Sequence, residues 1–572
     1  MNLALFAFVV LVLLAAGYLL YGRMVARIFA LDDATITPAN QVNDGNDYVP
    51  TKPAYLFSQH FSAIAAAGPI AGPILACQQF GWLPCILWIT FGVIFIGAVH
   101  DFSALVASLR HDAQSIVEIV RRNLGRRAAV ALTLFIWLSL IYVIIAFTDI
   151  TARTFVGKSP EIDFQQGGAV AGASSMYLGL AVLMGLALRF LRLPLGIATA
   201  LFVPATLAVI WLGTLIPDWF VFAGVPDARA QKIWAMLILA YCFAASLTPV
   251  WALLQPRGFL GGFLLFTALA VGVVGIFLGS FLPDFRADFA IRQAMFKGWE
   301  SVRADNSVVP LLPFLFVTIA CGACSGFHGL VCSGTTSKQI DRESHSRPIG
   351  YGAMLCEGFV ALISLATVMI LADEKLQGVS PGTVYGNGLG KFLTVIIGKD
   401  HMVFAATFGA MAFSTFVFDT LDICTRLGRL LFMEVLRWDG TFSMVVATAI
   451  TLAPPAIILW NTDKPAAYMD YWTLFGASNQ LLAGLTFLGI TVWLKRTGRT
   501  ILFTLPPMIF MMTITLWSLA RILGASLATA SSSLTAAMNA VAAGVLVALA
   551  VMLLVEAARA LRTAPAASEG PA

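Results

Sequence analysis

The chain has 572 residues, of which 59% are hydrophobic and only 11% are charged, and its mean hydropathy is +0.87. A soluble globular protein does not need that balance, whereas a polytopic membrane protein does. The formal net charge of +5 comes largely from short basic loops, so it indicates membrane topology and not nucleic-acid binding. The sequence carries no Gly-x-x-x-x-Gly-Lys-Ser/Thr loop, catalytic triad or zinc-protease motif. We therefore expect neither ATP-driven transport within this chain nor an enzyme.

Fifteen segments satisfy the criterion of about 20 apolar residues for crossing a bilayer. The first segment lacks a basic region before its apolar run, so we interpret it as a retained helix and not as a cleaved signal peptide. The predicted spans are 2–22, 57–80, 82–108, 129–150, 173–189, 194–216, 232–255, 259–282, 310–333, 349–372, 402–425, 441–460, 470–494, 501–523 and 534–558.

Basic residues cluster in alternate connections between these spans, and the positive-inside rule places those connections in the cytoplasm. With fifteen spans, the N-terminus lies outside and the C-terminus inside a bacterial cytoplasmic (inner) membrane. The loops 151–172, 283–309 and 373–400 are then predicted to lie outside. The basic clusters are Arg23/Arg27, Arg121/Arg122/Arg126/Arg127, Arg189/Arg192, Arg257, Lys338/Arg342/Arg347, Arg426/Arg429/Arg437, Lys495/Arg496/Arg499 and Arg559/Arg562.

The second segment contains Ala-Ala-Ala-Gly-Pro-Ile-Ala-Gly-Pro at residues 65–73. Pro69 and Pro73 each lack a backbone donor, and Gly68 and Gly72 loosen the chain between them. Carbonyls that a broken helix frees inside a bilayer must be satisfied by protein, water or a ligand. The pattern therefore predicts a helix broken at Gly68–Gly72, as in secondary transporters whose discontinuous helices form a substrate site. The alternative is a kinked helix packed against its neighbours.

An internal repeat is the strongest structural signal. Gly68-Pro-Ile-Ala-Gly72 has a counterpart in the ninth segment, Gly322-Ala-Cys-Ser-Gly326, and an acidic residue follows each at a similar interval. These residues are Asp101, 33 positions after Gly68, and Glu357, 35 positions after Gly322. Because two helices lie between two units of five, the second unit starts from the opposite side of the membrane. The pattern predicts inverted repeats with a substrate site near the bilayer midplane.

A third correspondence joins Asp149-Ile-Thr-Ala-Arg153 to Asp422-Ile-Cys-Thr-Arg426. Each Arg stands four residues after its Asp and is its expected local partner. Asp149, Asp419 and Asp422 are expected near solvated helix ends. The predicted organisation is residues 1–56, an N-terminal helix and cytoplasmic loop; 57–216, the first repeat; 217–309, two inserted helices and an outer loop; 310–494, the second repeat; and 495–572, two helices and a disordered tail.

Several motifs occur in an order that resembles the carbon starvation protein family, CstA, over most of the chain. They are Asp44-Gly-Asn-Asp-Tyr-Val-Pro-Thr51, His60, Ala67-Gly-Pro-Ile-Ala-Gly-Pro73, Gly97-Ala-Val-His-Asp-Phe102, Gly322-Ala-Cys-Ser-Gly-Phe-His328, Ser333-Gly-Thr-Thr336 and Gly350-Tyr-Gly-Ala-Met-Leu355. Where the family usually has His-His before Phe61, this chain has Gln59-His60. That departure puts a proton-handling role for the pair in doubt, although not one for His60 itself.

The resemblance implies an all-α membrane protein with a LeuT-like five-plus-five inverted repeat and extra helices. It implies a secondary active importer that takes up peptides in carbon starvation, by ion-coupled alternating access. Close relatives are linked to proton-coupled pyruvate uptake, so that substrate stays an alternative. A membrane channel or nutrient sensor is the alternative from another class. Broken helices in both units favour the importer.

The substrate carboxylate is expected between the two breaks, where resumed half-helices present free N–H groups. Glu357 is the deepest carboxylate, and it is expected either to meet a peptide ammonium or to carry a proton. His328, beside the second break, is a candidate for binding a carboxylate or carrying a proton. The predicted substrate-binding residues are Gly68, Pro69, Ile70, Ala71, Gly72, Gly322, Ser325, Gly326, His328 and Glu357.

The coupling ion is left open between proton and sodium. The implied fold places a Ser/Thr pair, here Ser414 and Thr415, near carbonyls of the first broken helix in sodium-coupled relatives, and such hydroxyls and carbonyls suit a small hard cation. Ordinary hydrogen bonding within and between helices is the alternative use of these hydroxyls. The candidate ion-coupling residues are Ala67, Ile70, Ser414, Thr415, His60, Asp101 and Glu357.

Cys321, Cys324, His328 and Cys332 lie at helical spacing and could form a soft-metal stripe. Thiolates in a membrane interior are hard to charge without a metal, and a break at Gly322 disrupts a straight stripe, so a metal is not the favoured reading. We expect no cofactor beyond the coupling ion. The expected partners are a small-molecule substrate and membrane lipid, with no nucleic acid.

Overall fold

A computed structural model describes residues 3–44, 48–65, 67–159, 161–249, 251–302, 307–376, 378–462, 468–531 and 534–562. Helices dominate these residues, and a short antiparallel hairpin joins β1 (Glu300–Val302) to β2 (Val308–Pro310). The tail predicted to be disordered, 563–572, lies outside the described residues.

Helices of the first half follow the apolar segments closely. They are α1 (Leu3–Phe29), α2 (Pro38–Val42), α3 (Pro53–Ile64), α4 (Gly68–Phe80), α5 (Trp82–Leu109), α6 (Ile116–Leu124), α7 (Arg126–Val156), α8 (Gln166–Phe190), α9 (Leu195–Leu215), α10 (Asp227–Leu247), α11 (Leu254–Phe281) and α12 (Pro283–Arg286).

Helices of the second half include the second broken pair, α13 and α14. They are α13 (Leu311–Thr318), α14 (Gly326–Val331), α15 (Glu343–Met369), α16 (Pro381–Ile397), α17 (Met402–Leu436), α18 (Thr441–Asn461), α19 (Tyr468–Arg496), α20 (Leu505–Thr529) and α21 (Leu534–Arg562).

The described residues contain 13 helices long and apolar enough to cross a membrane, and 14 spans if the bent pair α3 and α4 is counted as one. The remaining predicted segment, 310–333, is divided between the short helices α13 and α14. The chain is therefore an all-α polytopic membrane protein. The assignment of 57–216 and 310–494 to inverted five-helix repeats stays a prediction.

Helix α16 corrects the prediction that 373–400 is an outer loop. Ser380 caps its start by accepting a hydrogen bond from the Thr383 N–H. Gly386 and Gly390 lie against the backbone of α17 around Ala406, where a side chain would overlap it. The helix has 17 residues, fewer than the roughly 20 that the span criterion requires, so that criterion did not identify it.

The expected pair of Asp149 with Arg153 is not the arrangement found. The Asp149 carboxylate accepts a hydrogen bond of 2.8 Å from the Gln231 side chain of α10. Arg153 donates instead to the Gly378 carbonyl at 2.7 Å. Asp149 is also buried, contrary to the expected solvation, because α10 covers this end of α7.

Arg257 corrects the assignment of that residue to a cytoplasmic loop. It lies inside α11, fully buried, and its guanidinium contacts the carboxylates of Asp419 and Asp422 on α17 at 2.5 and 2.6 Å. Asp422 is therefore not paired with Arg426 as expected, and Arg426 donates to backbone carbonyls including that of Ala245. The partner of Asp422 is thus not Arg426, four residues away on the same helix, but Arg257 of α11, a helix that lies between the two predicted repeats.

Candidate functional site

Helix α3 ends at Ile64 and α4 begins at Gly68, with a bend of 45° between them, so the first break precedes Gly68 and does not lie at Gly68–Gly72. Gly68 to Gly72 instead form the first turns of α4. Pro69 occupies the start of that helix, where a missing N–H removes no intrahelical hydrogen bond. The Ala67 carbonyl accepts from the Ile70 and Ala71 N–H groups at 3.1 and 3.0 Å. Proline therefore begins the new helix here and does not mark the gap.

The second break spans residues 319–325, between α13 and α14. Gly322 and Ser325 lie within it, and Gly326 begins the resumed helix, so the predicted position of this break is confirmed. The two breaks touch, because the first turn of α4, directly after the first break, contacts the residues of the second break. A side chain at Gly68 would overlap that of Cys321, and one at Gly322 would lie 3.4 Å from the Pro69 Cα. The small residues therefore permit two backbones to cross in contact.

Carbonyls freed at the end of α13 are capped by side chains from neighbouring helices. Gln480 donates to the Phe316 carbonyl at 2.7 Å, and Trp472 donates to the Thr318 carbonyl at 2.9 Å. Trp88 of α5 donates to the Ile319 carbonyl at 3.0 Å. These bonds meet the requirement that a break in a membrane interior be satisfied by protein or a ligand.

Asn479 of α19 supports the other side of the same break. Its side-chain oxygen accepts from the Phe327 N–H at 3.0 Å, and its nitrogen donates to the Ser325 hydroxyl at 3.0 Å. One of the N–H groups expected to be free for a substrate carboxylate is thus occupied by Asn479. The sequence analysis assigned no role to Asn479 or Gln480. The sequence signal for these roles is the polar run Ser478-Asn479-Gln480 inside an apolar segment.

His328 lies between two buried carboxylates. Its Nδ1 is 2.9 Å from Asp101 Oδ2, and its Nε2 is 3.2 Å from Glu357 Oε2. The Asp101 Oδ1 atom is 2.7 Å from His100 Nδ1. At most 1% of the side chain of any of these four residues is exposed. The structure therefore brings together three predicted site residues, each on a different helix, and adds His100 to them.

This cluster can hold a proton at either of two positions. A neutral imidazole has one donor nitrogen, whereas a protonated imidazole has two. With Glu357 protonated, its O–H can donate to Nε2 while the Nδ1–H group donates to Asp101. With His328 protonated, both ring nitrogens donate to carboxylates. The distance to Glu357 fits either form, although the present contact lacks hydrogen-bond alignment.

His60 lies near this cluster but does not hydrogen-bond to it. Its Nδ1 is 2.8 Å from the Thr336 hydroxyl, and its Nε2 is 4.0 Å from the Cys332 sulfur. Thr336 and Cys332 belong to the helical turn that continues α14 beyond His328. His60 therefore links α3 of the first broken pair to the second pair.

The Ser414 and Thr415 hydroxyls and the Ile70 carbonyl of the suggested sodium site each contact another protein group. The Ser414 hydroxyl lies 2.7 Å from that of Ser174 and donates to the Met411 carbonyl of its own helix. The Ile70 carbonyl accepts from Ser364 of α15 at 2.5 Å, and Thr415 makes a 3.7 Å contact with the Met411 sulfur. These hydroxyls are thus engaged in bonding within and between helices, the alternative that the sequence left open.

The cysteines of the proposed metal stripe are buried free thiols in separate surroundings. Cys321 accepts from the Asn479 side chain at 3.3 Å, and Cys332 lies beside His60. Within the described ranges, no group of three or more His, Cys, Asp and Glu side chains is arranged to hold a metal ion. His328 is directed to carboxylates and not to the thiols.

Known proteins resemble the chain over most of its length. The family model "Carbon starvation protein CstA" matches residues 2–386 and 376–518. A Campylobacter jejuni protein named peptide transporter CstA is 33% identical over 88% of this chain and 77% of its own length. An Escherichia coli protein named pyruvate/proton symporter BtsT is 29% identical over 88% of this chain and 79% of its own.

A solved structure of a mutant Eremococcus coleocola manganese transporter is similar at 14% identity, with a TM-score of 0.47, over 91% of this chain and 99% of that one. We draw no function from a likeness at that level. The two-part family match covers residues from the first span to the twentieth helix, and the relatives are named as transporters and not as enzymes. The chain therefore belongs to the carbon starvation protein CstA family and is a multi-pass membrane transporter.

Proposed function

We propose that the chain imports short peptides with protons, by alternating access. The observation that carries the proposal is His328, buried between Asp101 and Glu357 beside two touching helix breaks. An ionisable group inside a membrane is costly unless it is paired or lines a cavity, and such groups mark proton relays and substrate sites. Here three of them meet at the position where the two halves of the predicted repeat contact each other.

The mechanism follows from the charge of the cluster. Two ionised carboxylates share one neutral imidazole, with His100 donating to Asp101, so the unprotonated cluster is strongly negative. One added proton, on Glu357 or His328, reduces the charge that must be buried. The buried arrangement is therefore stabilised by proton binding. Because His328 is on α14 and Glu357 is on α15, that stabilisation joins the helix that resumes after the second break to the next helix of the chain.

Proton coupling is favoured over sodium coupling when the surroundings of the two sets of candidate residues are compared. The titratable candidates converge, whereas the Ser414 and Thr415 hydroxyls and the Ile70 carbonyl are already in contact with other protein groups. Peptides are favoured as substrate by the relatives named peptide transporter CstA, including one from Escherichia coli that is 30% identical over 84% of this chain. The substrate carboxylate is proposed to lie between the two breaks.

Pyruvate is the second candidate, supported by the relative named pyruvate/proton symporter. It shares the carboxylate of a peptide but lacks the ammonium group. The cluster would serve either substrate as a proton carrier. The chain is proposed to lie in a bacterial inner membrane with its N-terminus outside and its C-terminus in the cytoplasm.

The test uses the full chain reconstituted in proteoliposomes. Uptake of labelled dialanine, trialanine and pyruvate is measured with proton and sodium gradients imposed separately. The proposal predicts saturable accumulation of peptide driven by an inward proton gradient, at any sodium gradient. Accumulation that follows sodium alone, or non-saturable flux in proportion to concentration, would show that the proton-coupled importer is the wrong function.

A further inference from the structure

A cavity of about 890 Å³ lies between α3, α8, α11 and α17 and reaches Ala65, at the edge of the first break. Tyr55, Ser58, Gln59 and Ser62 of α3 line it. Their spacing places them on one face of the helix. A polar strip thus runs along the cavity toward the break, and its volume lies in the range of small-ligand sites.

Arg257 and two aspartates form a charged network in the wall of this cavity. The Arg257 Nη1 contacts Asp422 at 2.6 Å and donates to the Tyr241 hydroxyl at 2.8 Å. The Nη2 lies 2.5 Å from Asp419 Oδ1, as a charge contact without hydrogen-bond alignment. Because Arg257 is fully buried and both terminal nitrogens face protein partners, it is not available to a substrate carboxylate.

Asp419 differs from Asp422 in its access to the cavity. Asp422 is 3% exposed and accepts a second bond, from the Tyr241 hydroxyl, at 2.8 Å. Asp419 is 22% exposed, lines the cavity and receives no hydrogen bond at Oδ2 from the part of the chain that the structure describes. One guanidinium between two carboxylates leaves this network with one negative charge in excess, and Asp419 presents it to the cavity. Arg189 also lines the cavity, where its guanidinium lies over the Trp251 ring at 5.7 Å from the centroid.

We propose that Asp419 binds the primary ammonium group of a peptide in this cavity, and this proposal rests on the proposed function. The mostly apolar lining strengthens attraction between a carboxylate and a cation. Phe259, Phe263 and Phe416 line the same cavity and offer aromatic faces that suit an ammonium group. Glu357 lies 3.2 Å from His328 in the proton-carrying cluster, so the proposal assigns the ammonium to Asp419 and the proton to Glu357.

The direct test measures binding to the purified full chain in nanodiscs by calorimetry. The ligands are dialanine, N-acetyl-dialanine and pyruvate, of which only dialanine carries an ammonium group. The variants are Asp419→Asn and, as a control, Asp439→Asn, which removes an exposed carboxylate just beyond α17. We expect Asp419→Asn to weaken dialanine binding by about tenfold or more. It should leave pyruvate unchanged, and Asp439→Asn should match the wild type.

A second measurement locates the ligand without altering the charged network. Ser62→Cys places a thiol in the cavity, and its reaction with a membrane-impermeant maleimide is followed with and without dialanine. The native cysteines of the wild type give the background, because seven of the eight are buried. We expect dialanine to slow the reaction, and N-acetyl-dialanine to slow it less.

Three results would overturn the proposal. These are wild-type affinity of Asp419→Asn for dialanine, no protection of Ser62→Cys by dialanine, and no reaction at Ser62→Cys at all. The last would make the cavity a lipid-facing one. Failure of proton-driven uptake in the wild type would count against the proposed function alone, because the binding comparison needs no gradient.

Discussion

Gly68 is the residue at which the contact between the two breaks can be tested most sharply. A Cβ placed there would lie 2.6 Å from the Cys321 Cβ and would also overlap the sulfur. Overfilling a packed interior costs roughly 1–3 kcal/mol, partly offset by the gain of about 1 kcal/mol for Ala over Gly in a helix. We expect Gly68→Ala to destabilise the protein by about 0–2 kcal/mol on these terms.

Cys321→Gly removes both overlapping atoms, so the two changes should couple. In a Cys321→Gly background, Gly68→Ala should cost nothing or stabilise, which gives a coupling energy of about 1–3 kcal/mol. The assay is unfolding of the purified protein followed by tryptophan fluorescence. Gly179→Ala is the control, because that glycine lies exposed in α8 with open space around it. Equal stability of Gly68→Ala and Gly179→Ala, with no coupling to Cys321→Gly, would refute the contact.

Two further predictions concern the second break and the connection between α7 and α8. Trp472→Phe leaves a buried carbonyl at the end of α13 without its donor and should cost about 1–3 kcal/mol in the same unfolding assay, whereas the exposed Trp517→Phe should cost little; equal losses would contradict the capping role. Burial raises the pKa of Glu161, but the ammonium groups of Lys391 and Lys375, each 3.1 Å away, lower it more, so the net pKa lies below its usual range. A lowered pKa stabilises the folded protein above the unfolded value of about 4.3, so Glu161→Gln should reduce the stability at pH 7, and this loss should shrink as the pH falls from about 4.3 through the folded pKa. If the stability difference between the wild type and Glu161→Gln stays constant as the pH falls from 7 through the folded pKa, these ion pairs contribute nothing to stability.

The membrane class and nearly all helices followed from apolar length alone, because a span must exceed a minimum size. Helix α16 did not, since Gly386 and Gly390 allow close packing against α17 but shorten the apolar run. The predicted position of the first break was wrong because Gly and Pro occur both in gaps and at the start of helices. Here Pro69 belongs to the start, so the gap precedes Gly68.

The candidate site was predicted residue by residue but not as an arrangement. His328, Asp101 and Glu357 were each notable as ionisable groups in apolar segments. Their contacts join helices far apart in the chain, and local spacing carries no information about such partners. Arg257 shows the same limit. As a basic residue between two apolar runs it indicated a loop, and only the carboxylates of α17 explain why it is buried within a helix.

The most direct test of the proton-carrying cluster compares Glu357→Gln with the wild type in two assays on the same proteoliposomes. One measures accumulation of labelled peptide under a proton gradient, and the other measures exchange of labelled for unlabelled peptide without a gradient. Glu374→Gln, at an exposed glutamate after α15, is the control. The account predicts that Glu357→Gln retains exchange but loses accumulation, because an amide keeps the shape of the side chain and cannot carry the proton. Accumulation by Glu357→Gln at the wild-type level would contradict it.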